Sequence, residues 1–499
     1  MEKNVLEFLE NSQRMYGEKT ACADMNNELT YTQLMNQAKF IGSCLSLKIK
    51  PTQGVPVYMG KTCNTLSLFM GIVYAGGYYC MLDTTHPVER INLILDTIQA
   101  DILVVDNKSA KKAEKLGFQG EIINLDELLE EYDGQVVDSE AQERLEKIRE
   151  QALDTDPLYS IFTSGSTGVP KGVIVNHRSV IDFIDCFTDT FNISENDIIG
   201  NQAPFDFDVS VKDIYSTLKC GATIQIIPKQ LFSFPTKLLD YLDDNNVTTL
   251  VWAVSALCIV TTLNGFEYKV PSKINKVIFS GEVMPIKHLN LWRKAYPDAM
   301  FVNVYGPTEI TCNCTYYIVD REYELDETLP MGKAFPNERV FLLDDDDNII
   351  TESQPGTTGE ICVSGTAVTM GYYNNPEKTD AAFVQNPLNN KYNEIIYRTG
   401  DLGYYNNDGL MCFSSRKDFQ IKHMGHRIEL GEIEAAMDKV PEIVRSCCIF
   451  DTVKSKIVAF YEGDIERRPL AKALGQYVPA FMVPNVFRQV EKMPLTKNG

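Results

Sequence analysis

The stretch from Thr163 to Gly172, which reads TSGSTGVPKG, has the composition of a phosphate-binding loop. It lies between two apolar runs, Leu158 to Phe162 and Val173 to Val175, that are typical of buried strands. Glycines let the backbone approach a phosphate, hydroxyls donate hydrogen bonds, and Lys171 adds a positive charge. The spacing of a Walker loop is absent, and a polar hairpin is the alternative. We predict a strand–loop–strand phosphate site.

Two later stretches contain groups that suit a nucleotide and its metal. In NVYGPTE, Asn303 to Glu309, Gly-Pro follows an aromatic residue, and the Tyr305 ring offers a flat face for a base. Glu309 offers a carboxylate of the kind that holds Mg²⁺ between phosphates. A plain β-turn at Gly-Pro is the alternative. YRTGDL, Tyr397 to Leu402, adds a second carboxylate, that of Asp401.

Asp208 opens a helical pattern in the stretch Ala203 to Ala222, APFDFDVSVKDIYSTLKCGA. It has a local interpretation as a helix N-cap, and Ser210-x-x-Asp213 has one as a capping box. It also has a functional interpretation, which depends on the family resemblance given below. Both interpretations are kept.

Length, charge and cysteine content restrict the class of protein. A chain of 499 residues is long enough for two or more domains, and a formal charge of −21 argues against a nucleic-acid partner. Thirteen cysteines without a C-x-x-C pair favour reduced thiols in a cytoplasmic protein. The acidic, amphipathic N-terminus is not a signal peptide.

The stretch from Thr62 to Leu82 is uncharged and long enough to cross a bilayer. Gly76-Gly77 interrupts it, so we predict a buried helix, a glycine turn and a buried strand, with no membrane span. Elsewhere, strand and helix patterns alternate, as in an α/β fold with parallel strands.

Taken in chain order, these motifs closely resemble those of the adenylate-forming superfamily, which contains acyl-CoA synthetases, luciferases and the adenylation domains of nonribosomal peptide synthetases. The stretch SRKDFQIKHMGHRIELGEIE, Ser415 to Glu434, resembles the family's hinge motif, although Ser415 stands where the family usually has glycine. PLTKNG, at residues 494–499, resembles its final motif. The resemblance covers essentially the whole chain.

The resemblance implies an α/β fold with two domains. Residues 1–417 would form a large adenylation core of α/β subdomains with a β-barrel-like part. Residues 418–499 would form a small, mobile α+β domain that rotates about Asp418. Gly425 matches the loop that lines the pantetheine tunnel in the thioester-forming conformation.

The implied function is ATP-dependent activation of an amino acid as aminoacyl-AMP, with release of pyrophosphate. Transfer to the phosphopantetheine thiol of a carrier protein follows, as in adenylation domains and D-alanine–carrier protein ligases. The alternative is an acyl-CoA or aryl-acid ligase of the same superfamily. Asp208 argues against the alternative, because it matches the aspartate that grips a substrate α-amino group.

The resemblance also assigns site residues. Lys497 would be the catalytic lysine, Glu309 would be catalytic and bind Mg²⁺, and Asp401 would accept both ribose hydroxyls. The ATP-binding set comprises Thr163, Ser164, Gly165, Ser166, Thr167, Gly168, Lys171, Asn303, Tyr305, Gly306, Thr308, Asp401 and Arg416.

By the same alignment, the amino acid's side chain would meet Asp208, Val209, Lys212, Trp252, Ile278, Ser280, Val304, Cys312 and Asn313. A lysine in a mostly apolar pocket is costly without an anion, so Lys212 suggests glutamate or aspartate as the substrate. In the alternative, Lys212 turns onto Asp213 or Asp206 and only its stem lines the wall. Trp252 and Val304 would then suit an aliphatic or aromatic substrate.

Overall fold

The computed structural model describes residues 2–132, 134, 137–165, 168–452 and 454–493. Within these residues the chain forms 26 strands. In chain order they are β1 (Thr20–Ala23), β2 (Glu28–Thr30), β3 (Gly54–Tyr58), β4 (Tyr78–Leu82), β5 (Ile102–Val105), β6 (Glu121–Asn124), β7 (Pro157–Thr163), β8 (Lys171–Asn176), β9 (Ile198–Asn201), β10 (Thr223–Ile226), β11 (Thr249–Ala253), β12 (Lys276–Ser280), β13 (Met300–Tyr305), β14 (Thr315–Ile318), β15 (Lys333–Ala334), β16 (Glu338–Leu343), β17 (Ile349–Ile350), β18 (Gly359–Gly365), β19 (Phe383–Gln385), β20 (Ile395–Tyr405), β21 (Met411–Arg416), β22 (Gln420–His423), β23 (His426–Glu429), β24 (Ile443–Asp451), β25 (Lys456–Gly463) and β26 (Val486–Gln489).

Helices alternate with these strands over most of the chain. They are α1 (Leu6–Tyr16), α2 (Tyr31–Leu45), α3 (Cys63–Tyr74), α4 (Val88–Ile98), α5 (Ala110–Ala113), α6 (Leu125–Glu130), α7 (Ser139–Gln151), α8 (His177–Thr190), α9 (Val209–Cys220), α10 (Pro235–Asp244), α11 (Val254–Thr262), α12 (Gly265–Tyr268), α13 (Ile286–Ala295), α14 (Pro376–Ala382), α15 (Leu430–Met437) and α16 (Arg467–Leu474).

Two largely parallel sheets position the predicted nucleotide motifs. Over the described residues, one sheet has the order β15-β14-β13-β12-β11-β9-β10-β1-β2 and the other the order β6-β5-β3-β4-β7-β8. Strands β3 and β4 are parallel and buried along their whole length, as expected when both faces of a sheet are covered. A third sheet, of order β17-β16-β18-β20-β19, has β21 paired with β20. The predicted α/β class is confirmed.

The uncharged stretch from Thr62 to Leu82 is folded as predicted, as a buried helix, a glycine turn and a buried strand. Thr62 and Thr65 form a capping box at the start of α3, which fixes where this helix begins. Gly76 has a φ of +80°, a conformation that favours glycine. None of the described helices has the length and apolar character that a membrane span requires.

Helix α9 is anchored at its C-terminal end by residues of α1 and α2. The Ser12 hydroxyl donates to the carbonyl oxygen of Leu218 (2.6 Å). The Tyr31 hydroxyl lies 2.8 Å from the carbonyl oxygen of Thr217 and 2.7 Å from that of Ala222. The last carbonyls of a helix lack partners within it, so these hydroxyls hold α9 in place.

The C-terminal part of the chain has an apolar core of its own. Its described members run from Ile428 to Met482. Most of them belong to β23, α15, β24, β25 and α16. A separate core is typical of a separate domain, and the boundary between residues 417 and 418 stays a prediction.

Candidate active site

The predicted phosphate loop connects two antiparallel strands, β7 and β8. Ser164 is buried at the loop's start, and Gly168 has a φ of +79°. A Cβ atom at Gly165 would lie 2.1 Å from the carbonyl oxygen of Val169, so a side chain there would require the loop to shift. Burial lowers the pKa of Lys171 at the loop's end. Ser166 and Thr167 lie outside the described residues.

Tyr305 and Asp401 are brought together from two different sheets. The Tyr305 hydroxyl donates to Asp401 Oδ2 (2.5 Å), and Arg416 pairs with the other carboxylate oxygen. Lys422 Nζ lies 5.3 Å from the centre of the Tyr305 ring, within the range of a cation–π contact. An aromatic face and a buried carboxylate therefore lie side by side.

Glu309 is fully buried beside the phosphate loop. Its Oε1 accepts a hydrogen bond from the Tyr372 hydroxyl (2.7 Å), and its Oε2 accepts one from Arg427 Nη1 (2.6 Å). Burial opposes its ionisation, but Arg427, Lys171 and Tyr372 outweigh burial and lower the pKa of Glu309 to about 2. Glu309 is therefore an anion whose two oxygens both have protein partners.

A single cavity collects residues from most of the predicted motifs. Those that line it are Thr163, Ser164, Asp208, Val209, Ser280, Gly306, Thr308, Cys312, Asn313, Asp401 and Arg416. The described residues of the predicted nucleotide site that do not line it are Gly165, Gly168, Lys171, Asn303, Tyr305 and Glu309. The Asn303 amide donates to the carbonyl oxygen of Pro330 instead (2.8 Å).

Asp208 directly precedes α9 but does not cap it through its side chain. The capping box proposed for Ser210 and Asp213 does not form either. The Ser210 hydroxyl donates to the carbonyl oxygen of Phe207 (2.6 Å), and Asp213 accepts from Asn201 Nδ2 (2.7 Å). Burial raises the pKa of Asp208. The capping interpretation is wrong, and Asp208 is one of the residues that line the cavity.

Lys212 is 1% exposed and donates to Asn313 Oδ1 (2.6 Å). It does not form an ion pair with Asp206 or Asp213, contrary to one of the two expectations. Among the described residues, Asp208 and Asp213 act on Lys212 only as nearby charges and not through a hydrogen bond. Burial lowers the pKa of Lys212, while Cys312, Asp208 and Asp213 oppose this. Because a lysine ammonium only donates, it bonds the Asn313 amide oxygen and leaves the Nδ2 group to donate elsewhere.

Three residues of the expected side-chain pocket lie in the apolar cores, outside the set that lines the cavity. Trp252, Ile278 and Val304 are all at most 2% exposed, and Trp252 Nε1 donates to the carbonyl oxygen of Gly200 (2.7 Å). They belong to β11, β12 and β13, where successive side chains point to opposite faces.

The hinge-motif hairpin β22–β23 closes one side of the cavity. The Gly425 N–H donates to Glu282 Oε1 (3.0 Å), and a Cβ at Gly425 would lie 3.3 Å from the Ala253 Cβ. Asp418 accepts two hydrogen bonds from Arg416, at 2.7 and 2.9 Å. The predicted catalytic Lys497 lies outside the described residues.

Several lining residues were not assigned a role from the sequence. They include His86, Arg90, Phe207, Gln420, Lys422, His426, Arg427 and Phe481. The structure explains how two of them come together, because Met424 and Gly425 both have a positive φ, as in a two-residue hairpin turn, although Met-Gly is not a pair that predicts such a turn from the sequence. Such a turn places Lys422 and Arg427 directly opposite each other, and hence on the same face.

Comparisons with known proteins agree with this geometry. The family model for AMP-binding enzymes matches residues 9–373. The chain is 31% identical to zwittermicin A synthase ZmaJ of Bacillus cereus, over 94% of this chain and 88% of that protein. It is also 29% identical to tyrocidine synthase 1 of Brevibacillus parabrevis, over 99% of this chain and 44% of that protein. The chain thus spans less than two thirds of several of its relatives.

Solved structures share the fold at low sequence identity. The Vibrio cholerae adenylation domain AlmE, in complex with glycyl-adenosine-5'-phosphate, matches with a TM-score of 0.85 and 21% identity, covering 99% of this chain and 96% of that one. Holo-PA1221, described as containing adenylation and PCP domains, matches with a TM-score of 0.84 and 20% identity, covering 100% and 82%.

Fold and site together define an adenylate-forming enzyme. The chain belongs to the AMP-binding enzymes and resembles the adenylation domains of nonribosomal peptide synthetases. Enzymes of this family use ATP. The sequence-based recognition of the superfamily is confirmed.

Proposed function

We propose that this chain activates an amino acid with ATP as aminoacyl-AMP, releasing pyrophosphate. It then transfers the aminoacyl group to the phosphopantetheine thiol of a carrier protein. The observation that supports this most directly is one cavity lined by the phosphate loop, by Asp401 and by Asp208. A nucleotide and an ammonium-bearing acid would therefore meet there. The thirteen free cysteines support a cytoplasmic location.

In the first half-reaction, a substrate carboxylate oxygen bonds to the α-phosphorus, and the bond to the bridging oxygen breaks. Both reactants are anions, so the site must supply cations and N–H donors at their contact. We assign this role to the phosphate loop and to Lys497. Tyr305 would stack on adenine, and Asp401 would accept the ribose hydroxyls.

Glu309 fits a divalent cation, because its carboxylate is ionised and lies beside the phosphate loop. It would bind Mg²⁺ after Arg427 withdraws, since both of its oxygens have partners in this arrangement. Mg²⁺ supplies charge neutralisation to the phosphates when bound.

In the second half-reaction, a thiolate sulfur bonds to the acyl carbon and AMP leaves. The hinge-motif hairpin facing the cavity supports this step, because Gly425 lines the cavity and approaches Ala253 closely at the position where the resemblance expects the pantetheine arm to pass. We propose that the described arrangement is the one for transfer, and that Lys497 belongs to the other. Rotation at Asp418 would exchange the two.

The substrate side chain in this proposal is acidic, that of glutamate or aspartate. Lys212 is buried with an amide oxygen as its hydrogen-bond partner, and a buried ammonium without an anion is costly. Asn313 lies between Lys212 and the cavity. The substrate's carboxylate would accept from Asn313 Nδ2 with Lys212 behind it, while Asp208 binds the α-ammonium.

The test is ATP–pyrophosphate exchange with the twenty amino acids and a few aryl acids. We expect exchange with an amino acid and none with an aryl acid. Exchange with an aryl acid alone would favour the acyl-CoA or aryl-acid ligase and would contradict the role of Asp208. Purified holo-carrier protein, added with the preferred amino acid, then reports thioester formation by mass.

A further inference from the structure

Two carboxylates of the C-terminal part occupy donors of the phosphate loop. The Gly165 N–H donates to Glu432 Oε2 (3.1 Å), and Lys171 Nζ lies 3.6 Å from Glu429 Oε1. A backbone N–H and a lysine are the groups that such a loop offers to phosphate oxygens. Glu429 and Glu432 therefore stand where anionic oxygens of a phosphate would be bound.

Glu432 is held in this position from both sides. It forms an ion pair with Arg90 of α4, and the two side chains are 3% and 6% exposed. Its neighbour Ser164 donates to the carbonyl oxygen of Arg427 (2.9 Å) and accepts from the Glu429 N–H (3.2 Å). Buried charges need partners, so this contact between the two parts of the chain depends on the glutamate.

The same docking also occupies the predicted metal ligand. Arg427 forms a buried ion pair with Glu309 (2.6 Å), where a divalent cation would otherwise neutralise the carboxylate. The C-terminal part thus offers anions to the loop and a cation to Glu309. That pattern is the charge pattern of a phosphate group with its metal ion.

The interior of the cavity is left open by this docking. Thr163 Oγ1 and Arg427 Nε are buried without a hydrogen-bond partner among the described residues, and both residues line the cavity. Buried donors usually have partners, so these two atoms suit the phosphate ester of an adenylate. The docking thus gives partners to Gly165 N–H and Lys171 Nζ but leaves these two cavity donors unpaired.

We propose that Glu429 and Glu432 are internal mimics of pyrophosphate. Inorganic pyrophosphate with its divalent cation and the docked C-terminal part exclude each other, because both use Gly165, Lys171 and Glu309. Docking for transfer then requires that pyrophosphate has left, and added pyrophosphate undocks the C-terminal part. The inference rests on the proposed function, since it takes this loop as the ATP site.

Hydrogen–deuterium exchange of the full chain tests the proposal. The backbone N–H groups of Gly425 and Glu429 donate across the contact, so their exchange reports undocking. Titration with inorganic pyrophosphate and Mg²⁺ should accelerate it, whereas sodium chloride at equal ionic strength should not. In Glu432→Gln, half-maximal acceleration should need about tenfold less pyrophosphate, because hydrogen bonds to a charged group are lost.

Glu89→Gln is the matched control, because it removes the Lys439–Glu89 ion pair at the same contact but away from the loop. Exposed ion pairs contribute little to stability. In this variant, the pyrophosphate concentration that gives half-maximal acceleration of hydrogen exchange should therefore change by less than about twofold. Glu429→Gln is a second variant that removes only the longer contact to Lys171, and a shift of roughly threefold is expected from a screened ion pair.

Calorimetric binding of pyrophosphate together with unchanged exchange at Gly425 and Glu429 would overturn the proposal. The proposal would also be overturned if pyrophosphate bound neither the wild type nor Glu432→Gln. Binding to Glu432→Gln alone supports it. ATP–pyrophosphate exchange with the same preparation distinguishes failure of this inference from failure of the proposed function. If the enzyme catalyses ATP–pyrophosphate exchange, only this inference falls. If it catalyses none with any acid, the proposed function falls as well.

Discussion

Substituting Lys212 by methionine removes the buried ammonium while keeping a long apolar stem at the same position on α9. Lys212 Nζ lies 2.6 Å from Asn313 Oδ1, and one further hydrogen bond from Asn313 would reach the substrate's carboxylate. The two charges would then be about 6 Å apart and, at an effective dielectric constant of about 20, would attract each other by about 3 kcal/mol. That value lies within the roughly 2–5 kcal/mol expected when one partner of a buried charge pair is removed.

The assay is ATP–pyrophosphate exchange with glutamate, aspartate, glutamine and leucine. For the preferred acidic substrate, kcat/KM should fall by about 150-fold, which corresponds to about 3 kcal/mol. The matched control is Lys219→Met on the same helix, because Lys219 contacts Thr188 and Asp185 and does not line the cavity. It should leave kcat/KM unchanged. If the wild type prefers a neutral amino acid and Lys212→Met leaves that preference intact, the acidic substrate is refuted and Lys212 is a wall residue.

Three further predictions address the loop, the catalytic lysine and the hinge. Gly165→Ala should weaken ATP binding, because its Cβ would meet Val169 at 2.1 Å; calorimetry with ATP measures this, and an unchanged affinity would contradict it. Lys497→Ala should abolish pyrophosphate exchange yet still transfer from a preformed aminoacyl-adenylate, and normal exchange would rule out the assigned role. Asp418→Pro should retain exchange and block transfer, because proline fixes φ at the pivot; equal loss of both steps would argue against the hinge.

The parts of the site that are contiguous in sequence were predictable. The strand–loop–strand unit at Thr163 to Gly172 follows from two apolar runs and the glycines between them, and the structure has it between β7 and β8. The joining of Tyr305 to Asp401 followed only from the resemblance, since the two residues are 96 positions apart. Local composition determines turns and buried strands, whereas it does not determine which strands become neighbours.

The side-chain pocket was predicted less well, for a reason of strand geometry. A shift of one residue turns a strand side chain to the opposite face, so an alignment does not by itself decide whether Trp252 or its neighbour faces a cavity. The contact between Arg427 and Glu309 was also missed. It depends on how the hairpin β22–β23 docks on the rest of the chain, and no local pattern encodes that docking.

The attachment of α9 to the first helices bears on protein engineering. Residues Asp208 to Asn313 look like a portable substrate-selecting cassette, but the end of α9 is held by hydroxyls of Ser12 and Tyr31. The Thr217 carbonyl would keep its bond from the Ala222 N–H (3.2 Å). A graft of that cassette into a relative lacking the Ser12 hydroxyl would leave the Leu218 carbonyl without that donor, at a cost of about 1–3 kcal/mol if it stays buried and unpaired. A chimaera that takes α1 and the start of α2 along with the cassette should keep the parental melting temperature, and the transplanted selectivity with it.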